Sequence, residues 1–356
     1  MSRYKIRNFA AMFENKETTD LKELGEFKLI SHLTEHIKLN HKNTIIGSGD
    51  DAAIIEIAGT YQAQSTEIFA ENIHFDLTFH PLKHLGYKMV VATISDILAM
   101  NILPSHLLVS LSLSSRFTLE AVEELYAGIL IACHEFDIDL IGGDTASSQS
   151  GLVVSMTATG TTSKKENITY RKGAKVNDLL VSTGDLGGAY MGLQILEREK
   201  KVFMENKDMQ PDLEKYDYIV GRQLRPEARV DVIKALALME ITPTSMMDIS
   251  DGVASEIHHM GEQSQVGFDI YEAKLPIDPQ AVDVAIEFGL NPSIVALNGG
   301  DDYELLMTLD QKHYDKVKSH PDFTIIGHVT EAVGSYNMIT AADQSFPIEA
   351  QGFIKK

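Results

Sequence analysis

Four times in this chain an apolar run leads into a glycine-bearing turn that ends in aspartate. The stretch Asn43–Ile57 reads NTIIGSGDDAAIIEI and places Asp50 and Asp51 side by side after Gly-Ser-Gly. Asp144 follows Gly142-Gly143, Asp248 and Asp251 bracket Ile249-Ser250 ahead of Gly252, and Asp301 and Asp302 follow Gly299-Gly300. Any one such turn has a local explanation, because aspartate closes turns and caps helices through its own side chain. Four of one form call for a shared cause. Glycine lets a backbone approach a ligand closely. Hard divalent cations take carboxylate oxygens, and Mg²⁺ is held by a few carboxylates together with substrate phosphates. The recurrence predicts a fold that gathers distant Asp turns into one multi-Mg²⁺ site for a polyphosphate.

Asp96 belongs with this set. Pro81 is placed to start a helix, and helical spacing puts Asp96 on the same face as Leu85, Met89 and Ala92. A carboxylate on an apolar stripe is costly unless it is paired or bound to metal. Other candidates carry less signal. Glu67 lies in a strand-like run, where acids are usually solvated. His74 is a lone histidine. Arg171, in a polar segment, suits either a phosphate or an ordinary surface charge. His258 and His259 have no matching ligand set.

The rest of the chain frames these turns. A length of 356 residues favours two domains. The pattern predicts an N-terminal extension over 1–24, a first domain over 25–160 and a second over 161–356. The polar segment "TTSKKENITYRKGAKVND" is read as the connection between them. Phe27, Ile30, Leu33 and Ile37 recur at helical spacing. Thr118 caps a helix with Leu119, Val122, Tyr126, Ile129 and Cys133 along its stripe. Pro226 is read as the start of another helix. Strands and helices mix without strict βαβ alternation, so the expected class is α+β.

Several functions are excluded or disfavoured. A net charge of −20 leaves no general footprint for nucleic acid. No apolar run approaches the roughly 18 residues of a membrane span. The N-terminus has no long apolar core of a signal peptide, and Cys133 is the only cysteine. A cytoplasmic location is therefore expected. No Walker A pattern occurs. "GSGDDA" matches the dinucleotide fingerprint G-x-G-x-x-A, but the following "AAIIEIAG" alternates like a strand rather than opening a helix. Two carboxylates there would also repel a pyrophosphate.

Taken together, "GSGDDAA", "STE" with "NIHF", "GYKMVVATISDILAMNILP", "IGGDT", "DISDGVASEI" and "GGDDYEL" resemble the thiamine-monophosphate kinase family of the AIR-synthase-like superfamily. The resemblance runs from about Glu26 to Phe353 in the family's order. It implies a two-domain α+β AIR-synthase-like fold with the site in the cleft between domains. It also implies a homodimer whose N-terminal domains share a β-barrel. The implied reaction moves the γ-phosphoryl group of ATP to thiamine monophosphate. By motif, Asp51, Thr66, Glu67, Asp96, Asp144, Asp248 and Asp251 resemble the ligands of several Mg²⁺ ions. Of these, Asp51, Asp96, Asp144 and Asp251 would act in catalysis through the metal. Tyr126, Gly143, Asp144, Arg171 and Ser250 resemble ATP contacts. His74, Asp301 and Phe353 resemble contacts to the thiamine substrate, and Asp50 adjoins the matched acid.

The chain departs from the family pattern in Ser48 for Ile, Glu67 for Asp and Asp301 for Glu. The last two keep the charge and change the reach by one methylene. Other AIR-synthase-like enzymes, of the AIR synthetase or selenophosphate synthetase type, share the fold. The latter would be expected to carry a reactive Cys near the N-terminal glycine turn, whereas Cys133 falls mid-helix. The hydrogenase-maturation relative ends in Cys, and this chain ends in Lys355-Lys356. A non-catalytic acidic cation-binding module is the alternative of another class, and no EF-hand loop supports it.

Overall fold

A computed structural model describes residues 29–35, 37–207 and 211–350. The extension over 1–24, Phe27 and Phe353 lie outside the described residues. Helix is present over 29–34, where Ile30 and Leu33 are exposed rather than packed. Ile37 falls beyond it and is exposed too.

The first half of the chain builds a six-stranded sheet from β1 (Thr44–Ile46), β2 (Ala53–Ile57), β3 (Thr60–Ala70), β4 (Pro104–Ser114), β5 (Asp139–Ser148) and β6 (Leu152–Thr162). Its strand order is β1-β2-β3-β6-β4-β5. Only β4 and β5 pair in parallel. Between them the chain crosses over through α2 (Leu119–Glu135), which the Thr118 hydroxyl caps by accepting from Ala121 N at 3.3 Å.

Alternation decides the two faces of this sheet. Ala63 and Phe69, Leu107, Val109 and Leu111, and Val154, Met156 and Ala158 are buried on one side. Thr66, Ile68, Leu108 and Ser110 point the other way and are exposed. The inner side is covered by α1 (Leu82–Ala99), entered from Pro81, and by α2.

The second half builds a seven-stranded sheet. Its strands are β7 (Leu179–Thr183), β8 (Ser245–Ile249), β9 (Gly267–Tyr271), β10 (Glu304–Leu309), β11 (Phe323–Thr330), β12 (Tyr336–Ile339) and β13 (Ser345–Pro347). The order is β13-β12-β9-β11-β7-β10-β8, with a parallel pair only between β9 and β12. Its longer helices are α3 (Gly188–Glu205), α4 (Asp217–Leu224), α5 (Val230–Leu238), α6 (Val253–Ser264), α7 (Pro279–Glu287) and α8 (Pro292–Asn298), and a single turn, Tyr314–Val317, follows β10. The mixed content and largely antiparallel sheets make the class α+β, as expected.

Helix α1 is central. It contacts β3, β6 and α2 of the first half and β8 and α4 of the second. It is therefore buried nearly all round, from Leu85 to Ala99, with Asp96 half-buried. Against α2 the backbones nearly touch. A Cβ on Gly128 would lie 1.8 Å from the Lys83 carbonyl oxygen, and one on Gly86 would lie 2.1 Å from that of Leu125.

Three local expectations are corrected. Gly142-Gly143-Asp144 is not a turn but lies inside β5, opposite Leu108, Val109 and Ser110. Leu119 is 70% exposed, because α2 meets the core only from Val122 onward. Pro226 does not open a helix. The backbone stays irregular until Val230, so that Arg229 can reach Glu304, and α4 was not anticipated. The segment between the two halves is itself packed, with Ile168, Thr169, Ala174 and Asp178 buried.

Candidate active site

Strand pairing explains why two of the acid turns meet. β8 and β10 are antiparallel neighbours with Ile249 opposite Glu304, so the turn leaving β8 and the turn entering β10 lie side by side. Asp301 N donates to the Ser250 carbonyl at 2.8 Å, and Tyr303 N donates to that of Ile249 at 2.9 Å. The second turn has unusual backbone. Asp301 and Tyr303 both have positive φ, 59° and 52°, a conformation that is uncommon outside glycine and found at functional sites. Buried Glu304 anchors it. Its carboxylate accepts from Arg222 at 2.9 Å, from Arg229 at 2.5 and 2.6 Å, and from the Thr183 hydroxyl at 2.7 Å.

The turn at Asp50-Asp51 docks onto this pair from the first half. Arg171 donates through Nε and Nη2 to Asp51 Oδ1 at 3.1 and 2.7 Å. Its backbone N–H donates to Asp50 Oδ1 at 3.1 Å. Gln263 of α6 donates to the Gly49 carbonyl at 3.0 Å. Helix α1 then brings Asp96, whose Oδ2 accepts from the Ser65 hydroxyl at 2.5 Å.

One carboxylate oxygen each of Asp51, Asp96 and Asp248 lies within 4.8 Å of the others. Arg171 is paired with only one of the three. Burial raises the Asp96 carboxyl well above its usual range, and Asp248, Glu67 and Asp51 raise it further. Burial and Asp51 push Asp248 up to about 7. Burial and Asp51 likewise push Asp50 up to about 6. Burial raises Asp51 despite Arg171. Asp50 Oδ2 and Asp51 Oδ2 are buried with no hydrogen-bond partner among the described residues. Mutually repelling oxygens with unmet valence fit a hard divalent cation.

These acids open on a cleft of about 740 Å³ between the two sheets, whose walls include Glu67, Asp96, Asp248, Asp251, Lys88 and Asp301. Lys88 Nζ donates to Asp301 Oδ2 at 3.1 Å and to the Gln223 carbonyl at 3.0 Å, joining α1 to the second half. Burial would raise the Asp301 carboxyl, but Lys88 and the Tyr303 hydroxyl outweigh it and hold it below the ordinary range.

Residues 49–162 match the AIR synthase related protein N-terminal domain, and residues 175–336 match the C-terminal domain. The chain is 32% identical to the thiamine-monophosphate kinase of Bacillus subtilis over 338 residues, covering 93% of this chain and 99% of that protein.

The chain belongs to the thiamine-monophosphate kinase family.

A solved structure of the same family, AaThiL complexed with AMPPCP and TMP, superposes with a TM-score of 0.78 at 30% identity, covering 94% of this chain and 98% of that one. The hydrogenase maturation protein HypE in complex with ATP, at 18% identity and a TM-score of 0.66, shares the fold alone over 89% of this chain and 93% of that one.

The residues that resemble thiamine-monophosphate kinase ligands fall in two places. Asp51, Asp96 and Asp248 converge, and Glu67, Asp251, Ser250, His74 and Asp301 line the same cleft or its cluster. Thr66 and Asp144 lie on the outer, exposed face of the first sheet. Thr66 pairs with Thr157 and Asp144 with Ser110, and both partners face away from α1. Gly143 sits in the exposed strand β5, and Tyr126 packs on α2 against the core. None of these four lines the cleft among the described residues. The guanidinium of Arg171 is engaged with Asp51.

Two residues escaped sequence reading. Glu256 is 1% exposed, and its Oε1 accepts from Asp251 N at 3.1 Å. Burial, then Asp248 and Asp251, raise it well above the carboxylate range. An acid in the first turn of a helix looks ordinary in sequence, because it complements the helix dipole. Lys88 did leave a signal. It lies eight residues before Asp96 on the same apolar stripe, and the criterion that singled out Asp96 applies to it equally.

Proposed function

We propose that this chain catalyses Mg²⁺-dependent transfer of the γ-phosphoryl group of ATP to thiamine monophosphate, giving thiamine diphosphate and ADP. The observation that carries the reading is the end-to-end match to thiamine-monophosphate kinase, 32% identical over 99% of the relative. The carboxylate cluster at the cleft supports it independently.

Asp51, Asp96 and Asp248, with Glu67 and Asp251 beside them, would hold the ions. Bound Mg²⁺ neutralises phosphate charge, the main obstacle when both reactants are anions. The chain's own residues do the rest. The Arg171–Asp51 and Lys88–Asp301 pairs hold the two halves of the cleft in register. The positive-φ turn presents Asp301 to the acceptor side, and Ser250 and Arg171 flank the nucleotide. An oxygen of the acceptor phosphate attacks the γ-phosphorus in line. The bond to the β,γ-bridging oxygen breaks, and ADP leaves with that electron pair. A phosphate monoester is largely ionised at pH 7, so no strong general base is needed.

The active form in this reading is a cytoplasmic homodimer. The exposed outer face of the first sheet, with Ile68 59% and Leu108 40% exposed, supports pairing there. Thr66, Gly143 and Asp144 lie on or beside that face. A selenophosphate-synthetase-type reaction fits less well. Cys133 is buried in α2, and burial and Asp139 push its thiol up to about 11, away from a reactive thiolate.

The test is incubation of purified protein with ATP, Mg²⁺ and thiamine monophosphate, with chromatographic detection of ADP and thiamine diphosphate. Absence of both products would refute the kinase reading.

A further inference from the structure

The cleft continues beyond the carboxylates, back along α1. Leu85 and Asp96, both on the cleft wall, are eleven residues apart on that helix, about 16 Å at the helical rise. At the far end the walls carry Phe69, Phe75, Phe79 and Leu85, with the Lys200–Asp76 pair beside Phe79. His80 sits among them, with its ring 4.9 Å from that of Phe79. Only 3% of His80 is exposed. Its Nδ1 lies 3.3 Å from the Asp76 carbonyl oxygen and 3.4 Å from the Asp76 nitrogen. Its Nε2 is buried with no hydrogen-bond partner among the described residues, and the residue lines the cleft.

Buried polar atoms are nearly always satisfied, so an exception asks for a reason. A phosphate is the wrong partner. Burial and the Lys88 ammonium hold the imidazole down to about 4, so the ring is neutral at pH 7. A neutral imidazole has one N–H and one bare nitrogen, and Asp76 offers Nδ1 a carbonyl in one tautomer and an N–H in the other. Nε2 therefore wants a neutral acceptor or donor on something flat enough to lie against Phe79.

We propose that His80 reads the edge of an aminopyrimidine ring, its Nε2 bonding to the amino group or to the adjacent ring nitrogen. This assignment rests on the kinase reading, in which the ligand's phosphate points along α1 toward the carboxylates. An aminopyrimidine edge occurs in both substrates of that reaction, as the pyrimidine of thiamine and as the six-membered ring of adenine. Their shared chemistry is what the pocket fits.

The experiment compares each substrate with its analogue in which the ring amino group is replaced by hydrogen. One arm uses thiamine monophosphate and its desamino form. The other uses ATP and purine riboside triphosphate. Full-length wild type, His80→Phe and His80→Ala are assayed with Mg²⁺ for kcat and KM. Wild type should favour the amino-bearing form in one arm by about tenfold or more in kcat/KM, since an unpaired buried group penalises the analogue. The His80 variants should bring that ratio close to one through KM, with kcat within about threefold. The ratio is internal to each preparation, so partial misfolding does not move it, and the alanine variant serves should the phenylalanine one not fold. The arm that responds identifies the ring. Wild-type ratios retained by the variants in both arms overturn the assignment. A wild type that turns over no thiamine monophosphate overturns the kinase reading instead, and equilibrium binding of the two nucleotides then decides His80 by the same ratio.

Discussion

Asp51 has two carboxylate oxygens in different situations. Oδ1 accepts from Nε and Nη2 of Arg171, and Oδ2 is buried without a hydrogen-bond partner among the described residues. One oxygen each of Asp51, Asp96 and Asp248 lie within 4.8 Å of one another. Removing one of these charges should hurt function while sparing the fold. Asp96→Asn is expected to lower the rate of ADP formation by about 100-fold or more, on the scale of losing metal support. Thermal unfolding without Mg²⁺ should show it no less stable than wild type, because a repelling charge is gone. The same crowding makes stability depend on pH. Asp248 titrates near 7 in the folded chain against 3.8 ordinarily. The folded state thus holds a proton that the unfolded state has lost between those values, so stability falls as pH rises through about 7. Buried His80 and His259, both lowered to about 4, act in the opposite sense below their ordinary value of 6.5. Above about pH 6.5 the histidine effect fades as the unfolded rings lose their last protons, while the raised carboxyls of Asp96, Asp248, Glu256 and Asp302 act together. The metal-free protein is expected to melt lower at pH 8 than at pH 6.5. Millimolar Mg²⁺ and Asp248→Asn should each narrow that gap, the remainder belonging to Asp302, which burial also pushes up to about 7 away from the cluster. A gap unchanged by either would count against the cluster.

At the scale of elements, one crossing sets the geometry. Helix α1 carries both Asp96 and Lys88, and its position depends on how closely α2 approaches. Gly86 and Gly128 permit that approach, and no side chain fits at either. Gly128→Ala should cost about 2–3 kcal/mol, the usual penalty for forcing bulk into a packed contact, as measured by urea unfolding. An Ala variant at Gly221, which has nothing within 4 Å of its added Cβ, is the matched control and should be near neutral. Strand ends matter as much as the helix. The acids at Asp248 and Asp301 meet because β8 and β10 are adjacent and antiparallel. The apolar-run-then-acid pattern revealed that such turns exist, yet it also flagged Gly142-Gly143-Asp144. There the apolar run and the glycines are parts of one strand. Gly143 lies against Val109, where a Cβ would come within 1.7 Å of the carbonyl oxygen.

At the scale of the whole molecule, the first sheet has one face under α1 and α2 and one face open. If that open face pairs two copies, Ile68→Asp should halve the mass measured by light scattering. A monomeric wild type would remove the dimer from the reading. The amino-acid sequence by itself determined the α+β class, most of the elements, and three acid turns that do line one site. Those features are local: hydrophobic period, capping residues and Gly-Asp turns act within a few positions of one another. It could also mark Asp96, because a charge on an apolar stripe is visible at helical spacing. Tertiary structure alone decided which acids converge, since that depends on strand adjacency and on the crossing of α1 over the second sheet. It separated Thr66 from Glu67, neighbours in sequence that alternation sends to opposite faces. It also buried Glu256 and left His80 Nε2 without a partner among the described residues. Desolvation and hydrogen-bond completeness are properties of the assembled interior, and no spacing rule encodes them.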